Sequence, residues 1–294
     1  NLQKAGYRLV VYDARREAAS SHLAAGATWA DSPRQVAEAA EIMFTSLPGP
    51  AEVEAVALGE GGLLSGMRPG GAYFDLSTNS PSVVRRLQAL FAERKAHMLD
   101  APVSGGPRGA ETGKLAIWVG GEEDVFNRYK SVLDAIGDQA RYVGPIGAAS
   151  VAKLVHNCVG YMMNRAMSEA FTMGVKAGVE PLALWEAVRQ GALGRMRTFD
   201  SLAAHFLPNV YDPPDFALRL AHKDVSLATA LGRECNVPMP MANLALDELT
   251  TALNRGWGER DSRAAMVLQE ERANVEIAVE QERIREVLQR EAKK

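Results

Sequence analysis

Between residues 8 and 143, short runs of β-branched and aromatic residues (RLVVYD, EIMFTSL, AYFDLS, HMLDAP, LAIWVG and ARYV) recur between stretches of helical periodicity, and after Gly144-Pro145-Ile146-Gly147 they stop. This alternation leaves few folds open. Parallel strands cannot be joined by tight hairpins, so each crossover carries a helix that packs back on the sheet. Leu9-Val10-Val11 and Ile42-Met43-Phe44 are apolar on consecutive residues, as strands covered on both faces require. The expected class is α/β, a doubly wound parallel sheet followed by an all-α region, with domains at 1–146 and 147–294. Ser32-Pro33 and Ser80-Pro81 place a capping hydroxyl before a first-turn proline, and Gly6 and Gly26 are read as helix stops.

Past the boundary, residues 148–177 read as one helix of about 45 Å at 1.5 Å per residue, with Gly178 as its stop. It could pass from one domain into the other or serve as a spine around which helices at 181–190, 216–235 and 240–253 pack. The charge-dense tail at 261–294 reads either as a solvated terminal helix with i,i+4 ion pairs or as a subunit contact.

With 294 residues, 47% hydrophobic and 23% charged, the chain can bury two cores. Its 33 Lys plus Arg against 36 Asp plus Glu give a net charge of −3, which excludes a basic nucleic-acid footprint. No apolar run reaches the roughly 18 residues of a membrane span, so a cytoplasmic protein with no membrane partner is expected. Cys158 and Cys235 lack CxxC spacing and read as buried free thiols.

In an open α/β sheet, ligands bind beyond the carboxyl ends of the strands. Asp13 ends the first strand run, where its carboxylate would accept ribose hydroxyls or simply cap a helix. Leu47-Pro48-Gly49 and Leu76-Ser77-Thr78 follow two later strands, as turns or as cofactor-facing loops. The segment from Asp100 to Gly113 (DAPVSGGPRGAETG) reads as a nest of backbone N–H groups for a carboxylate or phosphate, or as a long flexible loop. On the long helix, Lys153 and Asn157 share one face, continued by Tyr161, Asn164 and Ser168. The flanking Val151, Leu154, Val155, Cys158, Val159 and Met162 are expected to be buried. Lys153 is then a snorkelling lysine or, facing a cleft, a proton-transfer group with a lowered pKa.

Taken together, these segments resemble the 3-hydroxyacid dehydrogenase family, which includes 3-hydroxyisobutyrate dehydrogenases and tartronate semialdehyde reductases, over nearly the whole chain. DAPVSGGPRGAETGKLAIWVGG is similar to that family's substrate-binding signature, GAASVAKLVHN to its catalytic helix and FALRLAHKDVSLA to its cofactor-side lysine segment. The resemblance implies a Rossmann-like fold and hydride transfer between a nicotinamide cofactor and a small 3-hydroxy acid or its semialdehyde. It implies that Ser104, Gly105 and Gly106 hold the substrate carboxylate, that Lys153 is the general acid or base, and that Asn157 positions the hydroxyl. Lys223 would lie beside the nicotinamide, Leu47, Pro48 and Thr78 would support the cofactor, and Asp13 would hold the adenosine ribose. Residues around Arg195, Arg197 and Phe199 would meet the rest of the substrate. The family implies a homodimer or homotetramer, and the reading includes no metal.

Asp13 favours NAD, whereas Arg15 and Arg16 leave NADP open. The family's opening strand and glycine-rich turn are not in the sequence, which starts on what looks like the end of the following helix. About 20 residues of strand, turn and helix are expected before it, and tight cofactor binding is not expected without them. His156 and Tyr161 are similar to 6-phosphogluconate dehydrogenases, but Gly160 stands where that decarboxylating family has a glutamate. Decarboxylation is thus the alternative chemistry. A non-catalytic oligomerisation module and an imine reductase are the other rivals.

Overall fold

The computed structural model describes residues 1–196, 198, 202–234, 236–274 and 276–292. Arg197, Phe199 and Cys235 lie outside the described residues, as do the side chains of Cys158, Tyr161, Asn164, Ser168, Lys223 and Asp224. The chain forms two compact units, Asn1–Gly160 and Tyr161–Lys294.

The first unit holds β1 (Val10–Val11), α1 (Ser20–Ala24), β2 (Thr28–Trp29), α2 (Pro33–Ala39), β3 (Ile42–Thr45), α3 (Pro50–Leu58), α4 (Leu63–Gly66), β4 (Ala72–Asp75), α5 (Pro81–Glu93), β5 (His97–Asp100), β6 (Val103–Ser104), α6 (Gly106–Thr112), β7 (Leu115–Gly120), α7 (Glu123–Asp134) and β8 (Gly137–Gly144). The start of α8 (Ala148–Lys176) follows. Strands β3, β4 and β5 are parallel, and their last residues, Thr45, Asp75 and Asp100, stand in one register row. Strand β7 runs antiparallel to β5 and β6 and parallel to β8, while β1 and β2 form a separate parallel pair.

Consecutive strand residues serve opposite faces, because side chains alternate across a strand. Phe74 and Leu99 pack with Ile117, Val119, Phe126 and Leu133 on the α7 side. Their neighbours Tyr73 and Met98 pack with Val53, Val84, Leu87 and Phe91 of α3 and α5. Each such fully buried side chain contributes about 1.5–3 kcal/mol, which is why β3 and β4 are apolar up to their last residue. The α/β fold with helices on both sides is therefore the one expected, with β7 reversed and with β2 and β6 as two-residue additions.

Local signals mostly held. Ser32 Oγ accepts the Gln35 N–H at 3.3 Å ahead of Pro33. Ser80 does not cap α5; its hydroxyl is spent on Ser82 Oγ at 2.8 Å. The glycine-rich segment is not a long loop either, since Gly106-Pro107 starts α6 and turns it into a short helix.

The second unit contains the rest of α8, α9 (Pro181–Gln190), α10 (Ala192–Arg195), α11 (Leu218–Glu234), α12 (Pro240–Asn254), α13 (Val267–Ala273) and α14 (Gln281–Ala292). Tyr211, Leu218, Leu249, Ala252, Ala264 and Leu268 form its core. Asp261, fully buried, accepts the N–H groups of Asp215 (3.0 Å), Phe216 (3.2 Å) and Arg263 (3.0 Å) and pairs with the Arg263 guanidinium at 2.9 Å. His205 Nε2 lies 3.0 Å from Asp215 and 3.5 Å from Asp261, and its Nδ1 donates to the Val210 carbonyl at 2.8 Å. The tail is not one solvated helix: Asn274 is left-handed (φ 50°) and ends α13, and buried Glu270 accepts the Ile277 N–H at 2.9 Å, turning the chain. Among the described residues no helix is long and apolar enough to cross a membrane.

Candidate active site

The row Thr45, Asp75 and Asp100 puts two buried carboxylates at the carboxyl ends of the strands. Each is paired, and each organises a different loop. Asp75 accepts the Thr45 hydroxyl at 2.9 Å, the Ser77 N–H at 3.1 Å and the Asn79 amide at 2.8 Å. Ser77 Oγ in turn accepts the Leu47 N–H at 2.9 Å, so one carboxylate fixes the loops after both β3 and β4. Burial, and then the Asp75 charge, push the Tyr73 phenol far above its ordinary value, and it shares a hydrogen bond of 2.8 Å with Thr45 as a neutral group.

Asp100 clamps the start of α8. It accepts the Gly147 N–H at 2.8 Å, the Ser150 N–H at 2.6 Å and the Ser150 hydroxyl at 2.8 Å. A helix N-terminus leaves its first N–H groups unpaired, so a carboxylate there satisfies donors and opposes the helix dipole together. The fit requires Gly120 on β7: a Cβ at that position would stand 2.5 Å from Asp100 Oδ1 and 3.1 Å from the Ala149 nitrogen.

One turn past Ser150, Lys153 is only 8% exposed. Burial holds its amine below the ordinary lysine value, and no carboxylate pairs with it among the described residues. Its nearest cation-binding feature is the Trp118 ring, 5.9 Å from Nζ to the centroid. Across the same cleft, Gly105 (φ 135°) and Gly106 (φ 60°) follow half-buried Ser104 in backbone conformations that side chains rarely adopt. Their N–H groups have no acceptor among the described residues. Ser104, Gly105, Gly106 and Lys153 line a single cavity of about 610 Å³ together with Ser46 and Leu76.

The environment of α8 reverses one expectation. Val151, Leu154, Val155 and Met162 are exposed (44%, 43%, 54% and 48%), while the lysine is buried. The Asp100–Ser150 clamp turns the Ser150–Lys153 face toward the sheet, and the apolar flanks point away from it. Asn157 Oδ1 accepts a hydrogen bond from His156 Nδ1 at 3.1 Å.

Comparison with known proteins gives the family. Residues 1–144 match the family described as the NAD binding domain of 6-phosphogluconate dehydrogenase, and residues 147–268 match that described as NAD-binding of NADP-dependent 3-hydroxyisobutyrate dehydrogenase. The chain is 34% identical to 2-(hydroxymethyl)glutarate dehydrogenase of Eubacterium barkeri over 95% of its own length and 92% of that protein. The chain belongs to the 3-hydroxyacid dehydrogenase family. It is 33% identical to the NAD-dependent L-serine dehydrogenase of Pseudomonas aeruginosa, covering 89% of each chain. Among solved structures it is similar to Mycobacterium tuberculosis 3-hydroxyisobutyrate dehydrogenase with L-serine, at 27% identity and TM-score 0.62, covering 91% of this chain and 92% of that one. As a 3-hydroxyacid dehydrogenase it is an NAD(P)-dependent oxidoreductase acting on small hydroxy acids.

The residues present fit a nicotinamide dinucleotide. Leu47, Pro48 and exposed Thr78 stand beyond β3 and β4, beside a helix N-terminus at Gly49 with no side-chain cap. Exposed Asp13 follows β1; one of its oxygens accepts the Arg15 N–H at 2.8 Å. These four residues and Asn157 do not line the cavity of Ser104 and Lys153. Lys223 falls among the undescribed side chains, and Arg195 ends α10 in the second unit. Asp75, Asp100 and Trp118 were not singled out from the sequence. The available signal for the aspartates was an acidic residue closing an otherwise apolar strand.

Proposed function

We propose that this enzyme transfers a hydride between a nicotinamide cofactor and a small 3-hydroxy acid or its semialdehyde, with Lys153 as the general acid or base. The observation that carries the reading is a buried amine with no counter-charge among the described residues, sharing one cavity with the Ser104-Gly105-Gly106 backbone. Bound nicotinamide supplies the hydride acceptor or donor. The Ser104 hydroxyl and the free N–H groups of Gly105 and Gly106 bind the substrate carboxylate, which fixes the distance from that carboxylate to the reacting hydroxyl. In oxidation Lys153 Nζ takes the hydroxyl proton; in reduction its ammonium returns one. A lowered amine value enlarges the neutral fraction needed for the first task. Asn157 orients the substrate oxygen, and Lys223 belongs beside the nicotinamide.

On the cofactor side, Leu47, Pro48 and Thr78 flank the dinucleotide, and Asp13 accepts the ribose hydroxyls. A preference for NAD over NADP is supported by the Asp13 charge and by Arg16, whose guanidinium lies over the Trp29 ring, 4.8 Å from its centroid. The reading assigns dinucleotide binding to residues 1–146 and substrate and oligomer contacts to 147–294, in a cytoplasmic homodimer or homotetramer. Exposed apolar residues of the second unit, Trp185 and Leu193 (45% and 86%), support an association surface.

The test is a panel of 3-hydroxyisobutyrate, serine, glycerate and 2-(hydroxymethyl)glutarate with NAD and with NADP, on the full-length protein, upstream segment included, and on its Lys153→Ala variant. Turnover of at least one acid, faster with NAD, is expected, and Lys153→Ala should lower kcat by about 10²–10⁴-fold with dinucleotide affinity unchanged. Near-normal turnover in that variant would remove Lys153 from the mechanism.

A further inference from the structure

We propose that Trp118 is a positioning residue for this chemistry, bracing Lys153 and His156 from the sheet and, through His156, fixing the orientation of the Asn157 amide. The inference rests on the acid–base reading of Lys153 and goes beyond it to ask what holds the amine in place.

The brace follows from strand alternation. Leu115, Ile117 and Val119 of β7 enter the core on the α7 side, so Trp118 stands on the opposite face. There its ring meets two residues one helical turn apart on α8. Lys153 Nζ is 5.9 Å from the ring centroid, and the His156 ring is 5.3 Å away at an interplanar angle of 50°. Residues i and i+3 share a helix face, so one indole contacts both. An unpaired buried ammonium is attracted by the negative face of an aromatic ring, and no described anion competes for it.

The second consequence concerns Asn157. Its Oδ1 is an amide oxygen and can only accept, so His156 Nδ1 is the donor in the bond between them. The bond fixes the orientation of the Asn157 amide, with its NH₂ turned away from His156 and able to donate to a substrate oxygen. By packing at a tilt against His156, Trp118 keeps the ring at the angle that this bond needs.

A double-mutant cycle tests the idea, with kcat and KM measured for wild type, Trp118→Ala, Lys153→Ala and the pair, and with Trp118→Phe alongside. A misplacement of about 1 Å costs on the order of 10²-fold in rate. Trp118→Ala is therefore expected to lose about ten- to a hundredfold in kcat with KM for the acid little changed, and Trp118→Phe to recover most of the loss. Adding Trp118→Ala to Lys153→Ala should cost almost nothing more, because residues acting as a unit are not additive. Full additivity, a kcat for Trp118→Ala near wild type, or a well-folded Trp118→Phe as impaired as alanine would each overturn the proposal. Normal turnover in Lys153→Ala alone marks the separate failure of the acid–base reading beneath it.

Discussion

Lys153 is an amine buried against a sheet with no anion beside it among the described residues. One unit of pKa displacement corresponds to about 1.4 kcal/mol, so the folded protein disfavours the ammonium, and the displacement is downward from 10.5. The sign for stability follows: the penalty is full below the folded value and is relieved as pH rises toward the unfolded one. For catalysis, kcat for hydroxy-acid oxidation should climb with pH and level off at a midpoint below the ordinary lysine value, while the reductive rate declines over the same interval. A stopped-flow or steady-state profile in both directions checks this; an oxidative midpoint at or above 10.5 would speak against the buried amine as base. That Lys153 and Asn157 lie four residues apart on one helix was legible, because spacing on a helix is local, but Asn157 does not line the cavity that Lys153 does. Which face of α8 turns inward was not: Val151, Leu154 and Val155 are as apolar as any core stripe, and the deciding partner, Asp100, lies 50 residues before Ser150.

Among the elements, β5, β7 and α8 meet at a single crowded point. Gly120 is there because the Asp100 carboxylate and the α8 backbone leave no room for a methyl group. Gly120→Ala should destabilise the protein by about 1–3 kcal/mol, as overpacking does, and should lower kcat more than it raises KM, since the start of α8 carries the amine. Urea denaturation and initial rates measure the two effects, and a variant unchanged in both would show that the clamp tolerates displacement. The six principal strands and the long helix were readable from runs of apolar residues and from glycine and proline punctuation. β2 and β6, at two residues each, fall below any periodic signal. The short helix α6 was obscured by its glycines, which suggest loop until Pro107 is counted as a helix start.

At the scale of the whole molecule, two buried carboxylate hubs in the first unit have a counterpart in the second. Burial pushes the Asp261 carboxyl up, but the backbone N–H groups of Arg263 and Phe216 and the Arg263 guanidinium outweigh it, and the net displacement is downward from 3.8. A depressed carboxylate stabilises the fold above its unfolded value, and that contribution is lost as pH falls through the folded one. Asp261→Asn should therefore cost about 3 kcal/mol at neutral pH, in the range for breaking a buried pair. It should also flatten the loss of stability below about pH 4. Thermal denaturation between those conditions decides it, and an acid limb as steep as that of the wild type would exclude Asp261 as its source. The division into an alternating and a helical half was legible because the β signal ends abruptly. The hubs were not, because each aspartate finds its partners far along the chain.

The Asp100 clamp also sets an order of events. Residues of α8 can wind into a helix by themselves, but its first turn has its carboxylate only when β5 is in place, and room beside β7 only because position 120 is glycine. A nascent or partly opened chain therefore presents its amine without the geometry that gives it a task. The setting of the amine therefore belongs to the folded first unit, where β5, β7 and the start of α8 are assembled together.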